Sequence, residues 1–129
     1  LGTLAKHCGH VELLHAAFCT QLSDRGVYDF CVQKEASMHL RSLDLSFCPC
    51  VTDDGVAAIG ERCVKLQYLN LAGVSKITDA SARVVTHNLW KLETLNLDDL
   101  ALVTDAIFHF DAVHDGRIVA QTHMLTALT

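Results

Sequence analysis

Leu40-Arg41-Ser42-Leu43-Asp44-Leu45-Ser46-Phe47-Cys48 runs into Pro49-Cys50-Val51-Thr52-Asp53-Asp54-Gly55-Val56, and this arrangement returns twice downstream. Twenty-six residues on, Leu66-Gln67-Tyr68-Leu69-Asn70-Leu71-Ala72-Gly73-Val74 leads into Ser75-Lys76-Ile77-Thr78-Asp79. At the same spacing again, Leu92-Glu93-Thr94-Leu95-Asn96-Leu97 is closed by Val103-Thr104-Asp105. Two returns at one spacing mark a stack of equivalent units. Each unit carries two periods. The Leu-x-Leu alternation puts Leu43 and Leu45 on one face of a short strand and Ser42, Asp44 and Ser46 on the other. Val56, Ile59 and Cys63 then recur at helical spacing and can pack back on that strand. Thr52 and Asp53 stand where a helix N-terminus needs side-chain acceptors.

Working outward, Ser23-Asp24-Arg25-Gly26-Val27 parallels Thr52 to Val56, although the step from Asp24 to Asp53 is longer than the step from Asp53 to Asp79. Val11, Leu14, Ala16, Cys19 and Leu22 then take the places of Leu40, Leu43, Leu45, Cys48 and Val51, and the three extra residues fall near Gln33 to Ser37. Leu4 and Cys8 match Ile59 and Cys63. The resulting organisation is a single array over 1–129: the tail of a preceding repeat at 1–10, repeats at 11–39, 40–65, 66–91 and 92–124, and the start of another at 125–129. It places about seven inserted residues around Asp111 to Gln121 and the next strand near Leu125 and Leu128. Leu1 already lies inside the pattern, so a piece of a longer solenoid is expected.

Composition narrows the function. Half of the 129 residues are hydrophobic and 6% are aromatic, so Leu, Val and Ala fill the core. The net charge is −5 and the ten Lys and Arg are scattered, so no basic stripe predicts nucleic-acid binding. No apolar run reaches the roughly 18 residues that cross a bilayer, so no membrane partner is expected. Of the six Cys, Cys8, Cys19, Cys48 and Cys63 share repeat phases that point into the core, where a thiol is a small apolar filler. Phased, unpaired thiols predict a reducing compartment, hence an intracellular, cytoplasmic protein.

Read from Leu40 to Cys63, Leu-x-x-Leu-x-Leu-x-x-Cys-x-x-Val-Thr-Asp-x-Gly-Val-x-x-Ile-x-x-x-Cys resembles the cysteine-containing leucine-rich repeat of F-box proteins. The resemblance covers roughly Leu1 to Phe110. It departs where Val74 and Leu100 replace the first Cys and Leu89 the second, swaps that keep those sites apolar, and again where Asp111 falls on an apolar phase. The fold it implies is an α/β leucine-rich repeat solenoid, a right-handed β-α horseshoe with parallel strands on the concave face and helices on the convex face. The function it implies is non-catalytic protein binding. Many members are substrate receptors of cullin-type ubiquitin ligases; others are structural subunits of large assemblies, including axonemal or ciliary dynein regulatory complexes.

The outward strand positions are the expected partner-binding residues: Leu13 and His15, Ser42 and Asp44, Tyr68 and Asn70, Thr94 and Asn96. Asp44, Asn70 and Asn96 share one phase and form a row across strands about 4.8 Å apart. Tyr68 is the expected anchor, since Tyr gives large contact area at small entropy cost. Four such strands span about 20 by 10 Å, short of the roughly 800 Å² per partner of a standard interface, so neighbouring repeats or subunits of a larger complex are expected to contribute. His7, Cys8, His10 and His15 cluster, and Cys48 and Cys50 are two apart, but neither set shows the paired spacing of zinc sites. Catalytic residues, cofactors and metal are therefore expected to be none. Cys50 is off-phase and is the thiol expected to be exposed.

Overall fold

The computed structural model describes residues 1–104 and, as backbone, 119–121. A short helix, α1 (Gly2–His7), precedes strand β1 (Leu13–His15), helix α2 (Asp24–Cys31) and a second short helix, α3 (Lys34–His39). Then follow β2 (Ser42–Asp44), α4 (Asp53–Arg62), β3 (Tyr68–Asn70), α5 (Asp79–Asn88), β4 (Thr94–Asn96) and β5 (Val119–Gln121). The strands form one parallel sheet in chain order. Leu14 pairs with Leu43, Leu43 with Leu69, and Leu69 with Leu95. The ladder continues past the strand ends, where the amides of Ala16, Leu45 and Leu71 donate to the carbonyls of Asp44, Asn70 and Asn96 at 2.8–3.0 Å.

Register explains the core. Because side chains alternate, a strand that aligns Leu43, Leu69 and Leu95 sends all three to one side, where each is at most 3% exposed. Leu45, Leu71 and Leu97 continue the column, and Val56, Ile59, Ala82 and Val85 close it from the helices. The turn after each of β1 to β4 passes through a left-handed residue: Phe18, Phe47, Gly73 and Asp99, at φ between 55° and 66°. Only Gly takes that conformation without steric cost.

A ladder of carboxylates ties successive coils together. Asp24 Oδ1 accepts from the Thr52 and Gly55 amides at 2.7 and 3.1 Å, and its Oδ2 accepts from the Thr52 hydroxyl at 2.6 Å. Asp53 repeats this with the Thr78 amide and hydroxyl at 2.9 and 2.7 Å and adds the Ser81 hydroxyl. Asp79 takes the amide and hydroxyl of Thr104, both at 2.6 Å. Glycine at 55 lets Asp24 Oδ1 sit where a Cβ would stand 2.5 Å away, whereas the next clamp carries Ser81 at that position and uses its hydroxyl instead. Burial pushes the Asp53 carboxyl up, but the hydrogen bonds from Ser81 and Thr78 outweigh it and hold the group below the ordinary aspartate value. The threonines also cap their own helices: Thr52 Oγ1 accepts from the Asp54 amide and Thr78 Oγ1 from the Ala80 amide. Thr52 is the helix cap expected from the sequence.

Two expectations are corrected. Val119–Gln121 pair with β4 as β5, within one position of the regular pitch counted from Thr94 and inside the stretch expected to hold an insertion. The pitch holds while the landmark is lost, because Ala120 pairs with Leu95 where a Leu was sought. Cys8 and Cys19 are exposed, unlike the buried Cys48 and Cys63, and Leu4 is 38% exposed while Ala5 is the buried residue of α1. Phase fixes which way a side chain points, but a neighbouring coil must cover it, and among the described residues α1 alone packs beside α2 and α3 ahead of β1. The extra residues near Gln33 to Ser37 are wound into α3. Phe110, Asp111 and Leu125 to Thr129 lie outside the described residues.

Candidate functional site

The eight residues expected to bind a partner all lie on β1 to β4, on either side of the buried central position of each strand. Leu13 and His15 are exposed; Ser42, Asp44, Tyr68, Asn70, Thr94 and Asn96 are half-buried. Register brings Leu13, Ser42, Tyr68 and Thr94 into one row and His15, Asp44, Asn70 and Asn96 into a second.

The second row has a structural duty that spacing in the sequence does not reveal. Asp44 Oδ1 accepts from the Ser46 amide at 2.9 Å, Asn70 Oδ1 from the Ala72 amide at 3.0 Å, and Asn96 Oδ1 from the Asp98 amide at 2.9 Å. Each uses one oxygen to hold the turn that follows its own strand, the local bond that Asp and Asn favour at turns. The chemistry turned outward is then the Nδ2 donors of Asn70 and Asn96 and the second carboxylate oxygen of Asp44.

Aromatic residues flank the rows. At the turn side, the rings of Phe18 and Phe47 stack with centroids 5.0 Å apart and planes within 5°, and they remain 69% and 41% exposed. Gly73 follows in the same phase, and a Cβ there would collide with the Phe47 ring, so its absence lets that ring lie over the next coil. At the opposite ends of the strands, Trp90, Lys91, Leu92, Glu93 and Gln67 line a shallow depression of about 310 Å³. Trp90 is 61% exposed and Lys91 Nζ lies 4.9 Å from its ring centroid, a cation–π distance. Phe18, Phe47 and Trp90 were not among the residues expected from the sequence. The signal that could have found them was the phase shared by Phe18, Phe47 and Gly73, and the sole Trp of the chain.

The interior thiols are packing elements. Cys48 Sγ donates to the Ala16 carbonyl at 3.1 Å, and burial pushes its thiol above the ordinary value. Cys63 Sγ lies 3.9 Å from Cys31 Sγ, and that contact together with burial pushes the Cys63 thiol up. A thiol held protonated is a poor nucleophile. Cys50 is exposed as expected. No helix among the described residues is long and apolar enough to cross a membrane.

The pattern of parallel strands, left-handed turns and outer helices has a counterpart among known proteins. A family model described as Leucine Rich repeat matches residues 36–60. The fold is a leucine-rich repeat solenoid. No curated protein matches the chain in sequence. Among solved structures it is similar to a chain in the crystal structure of the Rad7 and Elc1 complex in yeast. That likeness has a TM-score of 0.66 at 24% identity and covers 79% of this chain. The solenoid spans 23% of the length of that chain.

Proposed function

We propose that this solenoid is a protein-binding module, the substrate-recognition repeats of an F-box-type ubiquitin ligase receptor, and that the partner lies across the strand face. The observation that carries the reading is the pair of register-aligned rows on β1 to β4, whose outward side chains are exposed or half-buried while every central residue is buried. An extended segment laid across the strands would meet Leu13 and His15 of the first coil and hydroxyl, phenol and amide groups from the next three. Tyr68 sits centrally in its row, and Phe18 with Phe47 supplies apolar area at one border. The ligase assignment is supported by the cysteine-bearing repeat from Leu40 to Cys63. Protein partnership is supported by the similar yeast chain, which was crystallised in a complex of Rad7 and Elc1.

A photo-crosslinking residue placed at position 68, compared with one at exposed Glu61 on α4, tests both parts. Capture of a discrete protein from position 68 alone, co-purifying with cullin and adaptor subunits, is expected. Equal capture from Glu61 would refute the strand face as the docking surface. Recovery of axonemal subunits in place of ligase subunits would refute the receptor role and support the structural alternative.

A further inference from the structure

The one coil longer than its neighbours brings together three groups that the repeat pattern does not explain. The excess length between Asp24 and Asp53 is taken up by α3, and α3 carries Glu35 and His39 at i and i+4, hence on one helix face. His10, in the turn between α1 and β1, lies against them: its ring centroid is 4.4 Å from that of His39, with planes tilted by 44°. The chain approaches α3 closely here because residue 9 is glycine; a Cβ on Gly9 would already stand 3.2 Å from Glu35 Cβ. One ligand atom from each of His10, Glu35 and His39 lies within 4.8 Å of the others.

We propose that His10, Glu35 and His39 form a binding site for a single divalent ion of the zinc class, clamping the turn before β1 onto α3. Two imidazoles and a carboxylate suit a borderline ion that takes nitrogen and oxygen together, and they do not suit Mg2+ or Ca2+, which prefer all-oxygen shells. The tautomer of His39 is already set. Its Nδ1 lies 2.7 Å from the Glu35 backbone carbonyl, which can only accept, so Nδ1 carries the proton and Nε2 keeps its lone pair for the ion. A second hydrogen bond of this kind on the far ring nitrogen is the usual support of a metal-bound histidine. Tetrahedral bonds of about 2.0–2.1 Å put ligand atoms roughly 3.3 Å apart. The contraction needed is within side-chain rotation, since His10 and Glu35 are exposed. Water or a partner's side chain completes the shell.

The test uses the 129-residue chain stripped with a chelator, its exposed thiols at Cys8, Cys19 and Cys50 alkylated, and Zn2+ itself as probe. Competition against a chromophoric chelator should give one equivalent bound, weakened about tenfold or more in His10→Ala, His39→Ala and Glu35→Gln, with Mg2+ failing to compete. Imidazole NMR signals of His10 and His39 in the unaltered chain should shift together on adding Zn2+, a readout that needs no variant. With the thiols left free, Co2+ should give tetrahedral ligand-field bands without a thiolate charge-transfer band. The site is refuted if no Zn2+ binds, if the His variants bind as tightly as the parent, if the two imidazoles do not respond, or if cobalt reports sulfur from Cys8.

Discussion

The first coil and the coils that follow it carry the same landmarks in the same phases, yet they bury them differently. Leu14 is 9% exposed where its register partners Leu43 and Leu69 are 3% and 0% exposed, and Cys19 is exposed where Cys48 is buried. Residue type does not account for this, since Leu14 and Leu69 are both leucine in β1 and β3. The cause is the neighbour: β2 and β3 each have a strand-bearing coil on both sides, whereas among the described residues β1 pairs with β2 alone. A repeat therefore specifies direction, and stacking supplies burial.

Mutations that separate direction from burial should have graded effects. Leu69→Ala, at a fully buried central position, should cost about 2–5 kcal/mol in chemical denaturation. Leu14→Ala should fall at or below the low end of that range, and equal losses would erase the difference between the coils. Next in size, Asp53→Ala removes the clamp on Thr78 and Ser81 and leaves their donors without it, an expected cost of about 1–3 kcal/mol. Asp54→Ala, on the exposed neighbour, should stay within about 0.5 kcal/mol.

The same clamp predicts a pH dependence. The folded-state value of Asp53 lies below its ordinary 3.8, so its contribution is fully present above that pH and is lost as pH falls through the lower folded value. Stability of the parent should drop more steeply below about pH 4 than that of Asp53→Asn. Smaller still, Asn70→Ala gives up the bond to the Ala72 amide and should cost about 1 kcal/mol while weakening any partner on the strand face. A loss of stability with unchanged partner binding would assign Asn70 to the turn alone. Finally, with no change in stability, alkylation of the native chain should label Cys8, Cys19 and Cys50 well before Cys31, Cys48 and Cys63.

Much of this was legible in the sequence, and the parts that were not share a physical reason. The regular returns of Leu-x-Leu located β2, β3 and β4, the Thr52 cap, and the alternation that turns Tyr68 and Asn70 outward while Leu69 turns in. They did so because strand and helix periods are local properties of the chain. What escaped depends on neighbours. Exposure of Cys19 and Leu4 follows from what stacks beside them. The double duty of Asp44, Asn70 and Asn96 follows from a turn geometry that spacing does not encode. The pairing of Ala120 with Leu95 is invisible to a search for Leu. The site formed by His10, Glu35 and His39 escaped for the same reason, since His10 and Glu35 stand almost a whole repeat apart in sequence and only the folding of α3 against the preceding turn joins them. Phe18 and Phe47 share a phase in the sequence, but only the stacking of the coils sets their rings face to face.

Everything functional rests on coils stacked in one register, and cross-strand NMR contacts measure that register without altering the chain. Nuclear Overhauser effects should connect the backbones of Ser42 with Tyr68, Leu43 with Leu69, and Leu69 with Leu95, in the staggered pattern of parallel strands. Contacts shifted by one residue, which would turn Leu69 outward and Tyr68 and Asn70 into the interior, or their absence between these segments, would contradict the account.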